Sequence, residues 1–373
     1  MKTLQIGDLK VKYPIVQGGM GVGVSLSGLA GAVANQGGIG VISAVAIGLI
    51  HNELEGNVKK RNREGFRLEI RKAREISPNG VIGANIMLAV TDFDALFKIA
   101  LDEKLDIVFI GAGLLIKKPE SVTLDEFLNT KTKIVPKISS ARAANLIFKS
   151  WDEKFNRIPD AVVIEGVKAG GHLGFKKNQV VGKHETLEEI LEGTKEIIKP
   201  YEEKYNIKVP IIVGGGIYDG YDIYNIMQKG ADGVKMGTRF VTTEECDADI
   251  AFKIQYIKAK EEDVTIIDSP VGLPGRAIEN DFIREVRAGV KKPVNCKYKC
   301  LKTCDYTKVS YCIAEALCNA AIGDLKNGFA FTGSNAFLAD KIETVPEIFE
   351  KLKSEYQLSQ KIIKKSKKEL IVK

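Results

Sequence analysis

His172 is one of three histidines in this chain of 373 residues, and it stands in Glu165-Gly166-Val167-Lys168-Ala169-Gly170-Gly171-His172-Leu173-Gly174, directly after the apolar run Ala161-Val162-Val163-Ile164. Imidazole is the side chain whose ordinary titration lies nearest neutrality, so one histidine on a glycine-rich turn at a strand end points to proton transfer. His51 and His184 sit in polar, charged surroundings and read as hydrogen-bonded structural side chains. Two more clusters bear on chemistry. Gly214-Gly215-Gly216 follows the run Val209-Pro210-Ile211-Ile212-Val213, and Gly237-Thr238 follows Gly233-Val234-Lys235-Met236. Backbone N–H groups in such turns approach phosphate oxygens closely, and a helix starting there adds a favourable field. One triple-glycine turn is equally well a plain strand-to-helix connection, but two on adjacent strands favour a phosphate-bearing ligand.

Five of the six cysteines, Cys296, Cys300, Cys304, Cys312 and Cys318, crowd into one stretch, while Cys246 stands apart. Their spacing matches neither the paired C-x2-C zinc pattern nor a ferredoxin run. On a helix Cys296, Cys300 and Cys304 would share one face, a packed stripe of small apolar side chains, and no metal ligands are assigned. The opening residues lack the apolar core of a secretion signal, which argues against a disulfide framework and for a cytoplasmic protein.

These groups need a frame. Strand-length apolar runs begin at Ile15, Ile39, Val81, Ile107, Ile134, Ala161, Val209 and Gly233. Eight runs alternating with helical segments predict an α/β fold, a TIM (β/α)8 barrel with a C-terminal helical cap, whose chemistry gathers where the strands end. The intervening helices are expected over 26–35, 96–105 and 223–229, the last closed by Gly230, and a long solvated helix over 52–77. A dinucleotide-binding doubly wound sheet is disfavoured: Gly18-Gly19-Met20-Gly21-Val22-Gly23 follows the first strand, but no acidic residue ends a strand about 20 residues on. The division expected is a barrel over 1–245, a helical cap with the cysteine stretch over 246–345, and a C-terminal helix with a basic tail over 346–373. Within the cap, 243–268 reads as helix and Ser269-Pro270-Val271-Gly272-Leu273-Pro274-Gly275-Arg276 as a loop, with Arg276 a candidate ligand for an anionic substrate or a nicotinamide phosphate.

The formal charge of +7 is spread among interleaved acids and bases. Only Lys361-Ile362-Ile363-Lys364-Lys365-Ser366-Lys367-Lys368 concentrates it, and without aromatic interleaving this reads as a solvated helix end and not a nucleic-acid arm. No apolar stretch reaches the roughly 18 residues of a membrane helix.

Gln17-Gly18-Gly19-Met20, Ala169-Gly170-Gly171-His172-Leu173-Gly174, Gly214-Gly215-Gly216-Ile217 and Gly237-Thr238-Arg239-Phe240 together resemble the FMN-dependent nitronate monooxygenases, a family that includes FMN-dependent enoyl-ACP reductases. The match runs in order from about residue 13 to 240. The resemblance implies noncovalent FMN on the barrel, with Gln17, Gly18, Gly19 and Met20 at the ring, Asn85 hydrogen-bonding it, Gly170 and Gly171 beside it, and Gly214, Gly215, Gly216, Gly237 and Thr238 at the phosphate. Lys137 would set a cation near the ring edge that gains charge on reduction, and Glu165 would orient His172 or reach a ribityl hydroxyl. His172 would be the catalytic base or acid. Lys168 stands where the family more often has glutamate or serine. The implied activity is oxidation of alkyl nitronates with O2; the alternative is an NADH- or NADPH-dependent reductase of enoyl-ACP or quinone. A homodimer is compatible with either.

Overall fold

The structure, a computed structural model, describes residues 1–291, 296 and 298–371, with side chains through 364 in the last helix. The chain opens with an antiparallel hairpin, β1 (Leu4–Ile6) and β2 (Leu9–Val11). Its Leu4, Ile6 and Val11 cluster with Val16, Ile39, Ile107 and Phe109 and stopper the end of the barrel where the strands begin.

Then follow β3 (Ile15–Gln17), β4 (Ile39–Ser43), β5 (Val81–Met87), β6 (Ile107–Gly111), β7 (Lys133–Ile138), β8 (Val162–Glu165), the two-residue β9 (Gly171–His172), β10 (Ile211–Gly214) and β11 (Gly233–Met236). All but β9 pair in parallel into a closed barrel, in order β3-β4-β5-β6-β7-β8-β10-β11 and back to β3. Each of the eight predicted apolar runs supplies one strand. Such strands are buried on both faces, which is why they read as unbroken Val and Ile runs with no polar alternation; β4 and β6 are buried at every residue.

The surrounding helices follow their sequence signals. The charged stretch forms the helix Val58–Ile76, capped by Asn57 and burying Phe66, Ile70 and Ala73 at helical spacing. The helices Ser27–Asn35, Phe93–Asp102 and Gly220–Gln228 fall where expected, and Gly230 closes the last, donating its N–H to Met227 O at 3.1 Å.

The cap differs from expectation. α-Helix occupies only Ile250–Lys258 of the stretch 243–268, a 3-10 turn follows at Glu261–Asp263, and β12 (Val264–Asp268) then turns into β13 (Pro274–Ile278), which begins in the segment read as a loop. The order β12-β13-β9 forms a three-stranded antiparallel sheet, with Gly275 opposite His172 and Arg276 opposite Gly171. The β-branched Val264-Thr265-Ile266-Ile267 suits a strand, and its ladder partners complete it. Cys296, Cys300 and Cys304 lie on irregular backbone, not on a shared helical face, because this segment is tied to the loop after β5: Leu301 bridges Val90, and Thr91 donates to Cys300 O at 3.0 Å. The final helix, Val345–Ile371, packs back on Gly220–Gln228, with Glu355 accepting the Gly220 N–H at 2.8 Å. The basic tail reaches past this point: its side chains from 365 lie outside the described residues.

Candidate active site

The strand ends β3 to β11 and the cap enclose one cavity of about 490 Å3. Gly18, Gly19 and Met20 line it from the first strand turn, Asn85 from β5, Lys137 from β7, Glu165 from β8, Gly170, Gly171 and His172 from the glycine-rich turn, and Gly214, Gly215, Gly216, Gly237 and Thr238 from the last two strand loops. Residues spread over some 220 positions of sequence thus meet on one wall because parallel strands all deliver their C-terminal ends to the same side.

Gln17 is the exception. Its fully buried amide accepts the Val41 N–H at 2.8 Å and donates to Gly18 O, and it does not line the cavity. β3 and β4 share a single ladder pair, and the Gln17 side chain fastens the seam where the ladder runs out. It shapes the Gly18-Gly19-Met20 turn and is not itself a contact residue.

The floor of the cavity is charged. Lys137 Nζ and Lys235 Nζ lie 3.1 and 3.2 Å from the same Glu165 oxygen, Oε1. Two ammonium groups overcome the burial of Glu165 and hold its carboxyl down to about 2. Burial, with the Lys137 charge beside it, lowers Lys235 to about 8. Glu165 is therefore engaged with lysines and does not orient His172. Lys235 escaped the sequence reading; the signal was a lysine inside the buried strand Gly233-Val234-Lys235-Met236.

His172 takes its orientation from the cap instead. Its Nε2 lies 2.6 Å from Ser269 Oγ, and its ring meets Phe331 edge to face at 4.8 Å between centroids. Burial with no counter-charge lowers its pKa to about 4, so the imidazole is neutral at working pH and has a lone pair for a proton. His51, between Glu53 and Glu69, and His184, against the carbonyls of Gln179 and Gly182, lie apart from the cavity lining.

The two glycine turns come together because β10 pairs with β11, Gly214 opposite Lys235. At Gly215 φ is +105°, and a Cβ there would stand 3.0 Å from Gly166 O and Ala169 N, so only glycine fits. The helix after Gly237, Thr238–Val241, is a single turn, so it supplies backbone N–H groups with little macrodipole. A further segment, Thr332-Gly333-Ser334-Asn335, closes over these turns: Gly333 donates to Thr238 Oγ1 at 3.0 Å, and Asn335 Nδ2 to Gly216 O at 3.1 Å. Gly170 admits it, since a Cβ there would lie 2.7 Å from the backbone of Thr332 and Gly333. Only a short run of small polar residues marked this segment in the sequence.

Arg276 does not face the cavity. It is buried and donates from Nη1 to Val167 O at 2.8 Å and Ala169 O at 2.7 Å, bracing the glycine-rich turn from behind. Nη1 is committed to these two carbonyls, and Arg276 is absent from the cavity lining.

Four buried polar atoms on residues that line the cavity, Asn85 Oδ1, Ser43 Oγ, Asp92 Oδ2 and Tyr218 Oη, have no hydrogen-bond partner. Buried polar atoms are ordinarily paired, so these leave hydrogen-bonding capacity unused in the cavity lining. Among the described residues no group of three or more His, Cys, Asp or Glu is arranged to hold a metal, and no described helix is long and apolar enough to cross a membrane.

Comparison with known proteins agrees with this geometry. The family described as "Nitronate monooxygenase" matches residues 2–355. The "Probable nitronate monooxygenase" of Staphylococcus saprophyticus is 27% identical over 305 residues, covering 77% of this chain and 81% of that protein. Among solved structures, FabK from Thermotoga maritima superposes with a TM-score of 0.72 at 25% identity, over 95% of this chain and 96% of that one. A nitroalkane oxidase from Streptomyces ansochromogenes superposes with a TM-score of 0.71 at 20% identity, over 95% and 98%, a likeness of fold. The family is flavin-dependent and its members are oxidoreductases. A parallel eight-stranded barrel with glycine turns at both last strands, one neutral histidine in the cavity and a family match over nearly the whole chain lead to one assignment: this chain belongs to the nitronate monooxygenase family.

Proposed function

We propose that the cavity binds FMN and that the protein oxidises alkyl nitronates with O2. Gly214, Gly215, Gly216, Gly237 and Thr238 would hold the phosphate. Gly18, Gly19, Met20, Asn85, Lys137, Glu165, Gly170 and Gly171 would hold the ring and its chain. The unpartnered Asn85 Oδ1 and Ser43 Oγ and the sterically closed Gly215 turn fit such an occupant. When bound, FMN supplies the electron acceptor that O2 regenerates.

The chain's own groups handle charge and protons. His172, neutral and held by Ser269, removes the proton from the carbon beside the nitro group of a neutral nitroalkane. The resulting nitronate is an anion, and the floor of two lysines and one glutamate favours it. A nitronate supplied ready-made needs no base. The cap residues Phe331 and Leu273 give the cavity apolar lining, with Phe331 edge to face on the imidazole.

The observation that carries this reading is the desolvated neutral imidazole on the same cavity wall as the two glycine turns. The similarity to FabK favours a second reading, reduction of the flavin by NADH or NADPH for an enoyl or quinone acceptor. Anaerobic mixing of the yellow protein with ethylnitronate, NADH or NADPH separates them. Rapid bleaching by ethylnitronate supports the oxidase reading; bleaching by a nicotinamide nucleotide alone overturns it in favour of the reductase.

A further inference from the structure

Lys235 has a position unlike any other cation of the cavity. It rises from β11 and crosses the barrel top, so that its Nζ lies 3.2 Å from Glu165 Oε1 on β8 and 5.7 Å from the Phe109 ring centroid of β6. Lys137, from β7, donates to that same Glu165 oxygen. The charged groups acting on Lys235 are these two; Phe109 offers only a ring face, and His172 and Lys168 line the cavity beyond them. Two ammonium groups on one carboxylate oxygen leave a surplus positive charge in a buried place, and the more buried lysine is the one that sheds it.

We propose that Lys235 is a proton-accepting counter-charge: when negative charge arrives on the cavity floor, its amine takes up a proton and the triad with Lys137 and Glu165 then carries one full positive charge. This rests on the flavin reading. In a reductive titration above the Lys235 pKa, the two electrons from dithionite would be accompanied by one proton to the ring and one to the Lys235 lone pair, leaving one negative charge on the ring; below it the amine already holds its proton and only the ring would take one up. In the resting protein burial and Lys137 lower Lys235 to about 8, so below that pH the amine already holds its proton and above it does not.

The test is the midpoint potential of the flavin-loaded protein on either side of pH 8. Each proton taken up with the electrons changes the equilibrium tenfold per pH unit, about 30 mV for a two-electron couple. One proton is expected below the break and two above it, doubling the slope. Lys235→Gln should keep the single-proton slope throughout, and Lys137→Gln, by removing a repelling charge, should move the break to higher pH. A single slope in the wild-type protein, or a break that survives Lys235→Gln, overturns the proposal while leaving the flavin reading intact. If Lys235→Gln fails to retain flavin, the wild-type slope alone decides. A protein that binds no flavin at all removes the reading and this inference with it.

Discussion

His172 Nε2 lies 2.6 Å from Ser269 Oγ, although the two residues are 97 positions apart. Ser269 sits at the turn between β12 and β13, where its oxygen also accepts the Val271 N–H at 3.4 Å and its backbone N–H reaches Leu273 O. The imidazole is thus aimed by a hairpin of the cap.

His172→Ala should retain the yellow cofactor and lose about 10²- to 10⁴-fold in kcat/KM on a neutral nitroalkane, the range for a general base. On preformed ethylnitronate the loss should be no more than a few-fold. Equal losses on both substrates would refute a role as base. Ser269→Ala should cost about tenfold on the neutral substrate, the effect of one hydrogen bond of roughly 1.4 kcal/mol, with flavin content unchanged.

The pH dependence follows from burial. In the folded protein His172 titrates at about 4, against an ordinary 6.5, so turnover of neutral nitroalkanes should stay level as pH falls from neutrality and drop only near 4. Stability runs differently. Between those two values the unfolded chain holds the proton and the folded one does not, so the stabilisation is complete above 6.5 and drains away as pH falls toward 4. Urea midpoints across this window should decline more steeply for the wild type than for His172→Gln; parallel declines would count against a buried neutral imidazole.

Gly215→Val forces a side chain into φ +105° and against the backbone of Gly166 and Ala169. Strain of about 1–3 kcal/mol and a displaced turn should abolish flavin retention during gel filtration, while the barrel still gives its circular-dichroism spectrum. Normal flavin content in this variant would disprove the phosphate assignment.

Arg276→Ala removes the brace beneath the glycine-rich turn and leaves the carbonyls of Val167 and Ala169 unpaired. Loss of charged hydrogen bonds of this kind costs roughly 1.5–3 kcal/mol each, so the melting temperature should fall. Were Arg276 instead a nucleotide ligand, the variant would melt normally and discriminate less between NADPH and NADH.

How much of this was readable beforehand depends on range. The eight strands announce themselves in local Val and Ile runs, and the glycine turns in plain sequence, because both are decided within a few residues. β12 and β13 are a local hairpin whose Pro and Gly content reads as a loop, whereas β9 joins them only by pairing 171–172 with 275–276, and no local pattern records a partner a hundred residues away. The same holds for Gly333 on Thr238 and for Lys235 on Glu165. Arg276 and Gln17 were misread for a related reason: polar residues beside a functional turn look like ligands until their buried backbone partners are seen.

The histidine rides on β9, whose ladder neighbour among the described residues is β13, whereas the Gly214-Gly215-Gly216 and Gly237-Thr238 turns belong to the barrel wall. His172 is therefore placed by the cap, and the two barrel glycine turns by the barrel ladder. Lengthening or exchanging the 269–273 hairpin would re-aim the imidazole while leaving the barrel ladder that carries Gly214-Gly215-Gly216 and Gly237 in place, so the two halves of this site can vary separately.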